Sequence, residues 1–178
     1  MNARHPSRPR RRLPAVAIVL AALLATGCQA LTDRIDTDPN QTDVPYPVSL
    51  LLPETIDVHS FSGRTFARED GARGIEGWVT PRDAFGDPTK AFGTFRFELY
   101  EHRVDRPRDR GRRVAFWNES VMDRQANRLH WDVSLAYKFM LAWEAGALPA
   151  GERFLLVVAF DSPFTPRLFD QQVITVGQ

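Results

Sequence analysis

Six arginines and two aspartates stand between His102 and Arg113, a local charge of +4 within twelve residues. Arg103, Arg106, Arg108, Arg110, Arg112 and Arg113 each carry a planar fork of N–H donors that matches a phosphate or a carboxylate. Anionic lipid head groups, lipopolysaccharide phosphates or an acidic protein partner suit such a loop. Six guanidinium groups so close repel one another, so an ordered loop implies anions among them. The alternative is a solvated hairpin whose charges face water, as charge runs usually do.

Other side chains that could do chemistry are scattered. His130, Asp132 and Ser134 alternate and would share one face of a strand, but a catalytic triad is defined by geometry and gathers distant segments. No Gly-x-Ser-x-Gly elbow occurs. His59, His102 and His130 lack metal-ligand spacing. Asp83, Asp87 and Asp161 fall in turn sequences, where aspartate ordinarily bonds its own backbone, so no metal is expected. Glu98, Glu101 and Glu119 are the carboxylates a hydrolase would pair, although separation in space is invisible in the sequence. Surface charge is the role expected of them. No catalytic residue, cofactor or metal is assigned.

The elements that would position these groups are strands. From Val133 to Trp143 apolar and polar or small residues alternate strictly, the mark of a strand with one buried face. Thr94–Glu101 repeats this, with Phe95, Phe97 and Leu99 against Arg96, Glu98 and Tyr100. Phe154–Phe160 is continuously apolar, as expected of a central strand. Further strands are predicted over 54–61, 74–80, 113–118 and 168–176, and one helical turn over 122–128. About seven strands, separated by Gly, Pro and Asp clusters and without βαβ alternation, predict an all-β fold. We expect an antiparallel β-sandwich of immunoglobulin-like type over residues 54–178, with a small β-barrel as the alternative. Trp78, Tyr100 and Trp117 fall out of phase with the apolar sets Ile75/Val79, Phe95/Phe97/Leu99 and Val114/Phe116. They are therefore expected to share an outer aromatic patch able to stack on sugar rings or receive a partner. The alternative is that Trp78 and Trp117 belong to the core.

Residues 1–12 hold five arginines and no acid, the eleven residues Ala15–Ala25 are apolar, and Thr26-Gly27 lead into Cys28, the only cysteine. A basic head, a short apolar run and a small-residue site make an export signal too short to span a bilayer. Leu24-Ala25-Thr26-Gly27-Cys28 resembles the lipobox of bacterial lipoproteins, with Ala25 where leucine is commonest. That resemblance implies cleavage between Gly27 and Cys28 and acylation of Cys28 with chains such as palmitate. Residues 28–53 then read as an acidic, proline-containing tether. Gln29 rather than Asp after the cysteine implies the outer membrane. The stretch 74–176 is also similar to uncharacterised bacterial envelope lipoproteins with one β-sandwich domain, through Asp83-x-x-Gly86-Asp87, Phe97-x-Leu99-Tyr100, Trp131-Asp132 and a closing strand after Pro166. It implies no activity.

Five of the 23 basic residues, and none of the 22 acids, precede Cys28. From Cys28 onward the balance is therefore 18 (23 − 5) against 22, formally −4. An acidic body is not expected to bind nucleic acid, which calls for a basic working domain. The sequence thus points to a lipid-anchored cell-envelope protein with a non-enzymatic binding or scaffolding domain. It would be monomeric, held to the membrane through Cys28 and open to an anionic lipid or envelope protein partner. An envelope hydrolase using surface carboxylates or a metal is the alternative.

Overall fold

The structure, a computed structural model, describes residues 41–107, 109–143 and 150–177. Cys28 and Arg108 lie outside the described residues. Eight strands run in the order β1 (Thr55–Val58), β2 (Thr65–Ala67), β3 (Arg73–Arg82), β4 (Thr94–Glu101), β5 (Arg113–Ser120), β6 (Tyr137–Ala142), β7 (Arg153–Asp161) and β8 (Leu168–Thr175). Among the described residues one α-helix, α1 (Arg124–His130), joins β5 to β6.

All pairings are antiparallel, and they form two four-stranded sheets packed as a sandwich rather than a closed barrel. In the first sheet the long β3 pairs with β6 along one side. On its other side it pairs with β1 near its end and β2 near its start. The second sheet is ordered β5-β4-β7-β8. The central position of β7 explains its unbroken apolar sequence, because Phe154, Leu156, Val158 and Phe160 enter the core while Leu155 and Val157 are also buried. The core is strongly aromatic. Phe95 lies between Tyr137, Phe139 and Phe160 at ring distances of 5.5, 5.2 and 4.7 Å, and all four rings are fully buried. Burying each such side chain contributes about 1.5–3 kcal/mol.

Two bonds to the Tyr137 side chain tie the turn before β4 and helix α1 to this core. The Ala91 N–H donates to the Tyr137 hydroxyl at 2.9 Å, and that hydroxyl donates to Asn127 Oδ1 at 2.9 Å. Asn127 Nδ2 in turn donates to the Ala91 and Val121 carbonyls, so α1 is pinned to the end of β5. Asp123 caps α1 by accepting the Ala126 N–H at 2.8 Å, which leaves this helix one well-defined start. Ahead of the strands, the short 3-10 helix Val48–Leu51 packs on the sandwich, and its Leu50 and Leu51 carbonyls accept from Ala84 N–H and the Thr89 hydroxyl.

Two expectations change here. Strand β6 begins at Tyr137, not Val133. Residues 132–136 form a turn in which Asp132 Oδ1 accepts the Ser134 N–H at 2.9 Å and the Asp132 N–H donates to the Ala136 carbonyl. Val133 is 99 % exposed and Leu135 has a left-handed φ of 60°. The local Asp–Ser bond competes successfully with strand pairing, and Val133 and Leu135, the apolar positions before Tyr137, are exposed. Strand β2, only three residues long, was not legible in the sequence pattern.

Candidate anion-binding face

The outer face of the β5-β4-β7-β8 sheet is built by alternation. Arg96, Glu98 and Tyr100 of β4 point away from the core because Phe95, Phe97 and Leu99 point into it. Across the sheet, Glu98 stands beside Phe116 of β5 and Val157 of β7, while Arg96 stands beside Asn118 and Ala159. Phe116 and Phe169 on this face are 54 % and 70 % exposed.

Glu98 is the centre of the charge. Its side chain is only 14 % exposed. Oε1 accepts from Arg96 Nε at 3.1 Å and Arg113 Nη1 at 3.0 Å, and Oε2 accepts from the Tyr100 hydroxyl at 2.8 Å. Arg110 reaches back from the loop to 4.0 Å from Oε2 and lies over the Tyr100 ring at 5.5 Å. Burial by itself would raise the Glu98 pKa. The bonds from Tyr100 and Arg113 and the charges of Arg96 and Arg113 outweigh it and hold the carboxyl below its ordinary value. Burial and the neighbouring Glu98 raise the Tyr100 phenol, which stays protonated and donating. Three guanidinium groups around one carboxylate leave this patch positive.

Among the described residues, the rest of the arginine run is paired with acids rather than left self-repelling. Arg103 faces Asp105 at 3.3 Å, Arg106 faces Asp109 at 3.7 Å, and Arg112 bonds Glu101 at 2.5 Å. These exposed pairs contribute little to stability, but they neutralise much of the loop's charge. The positive excess therefore lies on the sheet face, where Arg110 and Arg113 join Arg96. Arg96 escaped the sequence reading because it lies outside the charge run, although its place on the polar side of β4 was legible.

The aromatic patch does not form. Trp78 lies on the outer face of the other sheet, as its phase implies, yet it is buried. The segment joining β1 to β2 folds over it, with Phe61 edge-on at 5.3 Å and Ser62 Oγ accepting the Trp78 N–H. Trp117 pairs with Phe97 and turns toward the core side, donating from Nε1 to the Ala142 carbonyl at 2.6 Å. The cause is a register shift at Leu99/Tyr100, where Tyr100 pairs with Arg113 and Leu99 with Ala115. The extra residue, Val114, reverses the phase of β5, so Phe116 faces water. Only Tyr100 of the three lies on the charged face.

A second cleft, of about 410 Å³, opens beside β6 and is lined by Arg68, Glu119, His130, Trp131 and Asp132 among others. Glu119 pairs with Phe95 and is turned inward, and burial raises its pKa while the His130 charge opposes the rise. His130 Nδ1 lies 3.2 Å from the Lys138 carbonyl, which requires the proton on Nδ1. The Asp132 carboxylate accepts the Ser134 N–H and His130 Nδ1 faces the Lys138 carbonyl, so His130, Asp132 and Ser134 form no triad. Asp83 likewise accepts the Phe85 and Asp87 N–H groups of its own turn, and Asp161 pairs with Arg167. Among the described residues no three His, Cys, Asp or Glu side chains are grouped for a metal ion, and no helix is long and apolar enough to cross a membrane. No family model matches this chain, and no match to it was found among curated proteins or solved structures.

Proposed function

We propose that this protein is a lipid-anchored component of a bacterial cell envelope, held at the outer membrane through acylated Cys28, and that its β-sandwich is a non-enzymatic module binding an anionic partner. The observation that carries the reading is the set of Arg96, Arg110 and Arg113 around the single carboxylate of Glu98. Exposed Phe116 and Phe169 stand on the same face, so the surface joins positive charge to aromatic area, as an interfacial surface does. The lipobox-like residues supply the anchor, and the roughly twelve residues between Cys28 and Gln41, where the described chain first bonds the sandwich at the Phe164 carbonyl, would keep the domain within reach of lipid head groups. Each basic residue near an anionic surface contributes about 1 kcal/mol, screened by salt. The test is co-sedimentation of the unacylated chain from Gln29 with anionic and neutral vesicles at low and high salt. Salt-sensitive binding to anionic vesicles, lost in Arg96→Gln/Arg113→Gln, is the expected result. Equal sedimentation of variant and parent would refute it.

A hydrolase reading draws on the Glu119 cleft, where a desolvated carboxyl and His130 line one cavity. Its test is turnover of ester and glycoside probes that disappears in Glu119→Gln.

A further inference from the structure

Resting on the anion-binding reading above, a narrower site lies within the same face. A depression of about 300 Å³ is bounded by Arg96, Arg110, Arg167 and Phe169 and floored by Val157 and Ala159. Its three guanidinium groups come from three separate segments: β4, the loop before β5 and the turn before β8. The depression exists because Ala159 stands between Arg96 and Phe169 in the strand register, a small side chain flanked by two large ones. The one lining acid, Glu98, has both oxygens engaged by Arg96, Arg113 and Tyr100. It orients the arginines without neutralising them all. Arg110 has no carboxylate closer than 4.0 Å among the described residues. Arg167 lies 3.2 Å through Nε from Asp161, an acid outside the depression, and its fork carries further N–H donors.

We propose that this depression binds a phosphate monoester, its charged oxygens shared among Arg96, Arg110 and Arg167 and its apolar part lying on Val157 and Ala159 against the Phe169 ring. Guanidinium forks suit a group offering several charged oxygens. The apolar floor and the 70 % exposed Phe169 ring favour a phosphate that carries a hydrophobic portion over the bare ion. A lipid head group ending in a phosphate monoester, as in phosphatidic acid, and a soluble aryl or alkyl phosphate share this chemistry.

The experiment titrates the full-length protein in neutral detergent with inorganic phosphate, phenyl phosphate, a short-chain phosphatidic acid and the matching phosphatidylcholine, read by arginine side-chain NMR. Binding of either ester about tenfold tighter than inorganic phosphate is expected, with shifts at Arg96, Arg110 and Arg167 and none with phosphatidylcholine. Preference for the phosphatidic acid assigns a lipid, and equal binding of phenyl phosphate assigns a soluble ester. Arg96→Gln and Arg167→Gln should each weaken binding about tenfold. Ala159→Phe, which fills the floor, should abolish the preference for esters while the protein melts as the parent does. Ester affinities no better than inorganic phosphate, or unchanged in Ala159→Phe, would overturn the proposal. Anionic vesicles that still bind while these ligands do not would spare the broader face and remove only this site.

Discussion

Replacing Glu98 with glutamine should act in opposite directions on stability and on anion binding. The side chain keeps its shape, but one oxygen becomes an amide that cannot accept, and three nearby arginines lose their shared counter-charge. Hydrogen bonds to a charged, poorly exposed group are worth about 1.5–3 kcal/mol, of which the amide recovers part. A net loss of about 2 kcal/mol would lower the melting temperature of a domain this size by roughly 8 °C. The loss depends on pH. The folded-state pKa of Glu98 is depressed, so its stabilisation is present above the ordinary glutamate value near 4.5 and disappears as pH falls through the lower folded value. Glu98→Gln and the parent should therefore differ fully at neutral pH and converge in acid. Removing one negative charge from the face should meanwhile strengthen adsorption to anionic vesicles about fivefold at low salt, the equivalent of about 1 kcal/mol. Thermal melts across pH and vesicle co-sedimentation read the two effects. Unchanged melting at neutral pH, or weaker vesicle binding, would show that Glu98 does not hold these arginines.

Three further outcomes are expected. Cys28→Ser should abolish incorporation of a fatty-acid analogue during metabolic labelling, and equal label in variant and parent would reject the lipobox reading. Phe139→Ala, at a fully buried ring 5.2 Å from Phe95 and 5.1 Å from Phe97, should cost about 3–5 kcal/mol in chemical denaturation. Glu119 has its pKa raised by burial, so stability is full below the ordinary value and is lost as pH rises through the folded one. Glu119→Gln should then melt above the parent at about pH 8 and with it near pH 4; a constant difference across that range would refute this.

Local alternation was enough to place the strands that alternate against one buried face. Thr94–Glu101 has the predicted limits, and its inward and outward sets are those its residue types imply. The apolar run of β7 likewise announced a central strand, because a strand covered on both faces has no polar side to show. These features depend on a residue and its near neighbours. What failed depends on partners remote in sequence. The phase of β5 was inverted by one extra residue opposite Leu99/Tyr100, a matter of register between strands that β5's own sequence does not encode. Trp78 has the phase of a surface residue and is buried because another segment folds over it. Most of the arginine run turned out to be paired within its own loop or with Glu98 and Glu101. The depression on the sheet face instead draws Arg96, Arg110 and Arg167 together from positions up to 71 residues apart (167 − 96). Only the pairing of β4 with β7 and of β7 with β8 brings Ala159 between Arg96 and Phe169, so the chain's residue types set its fold class while the tertiary register set where its charge gathers.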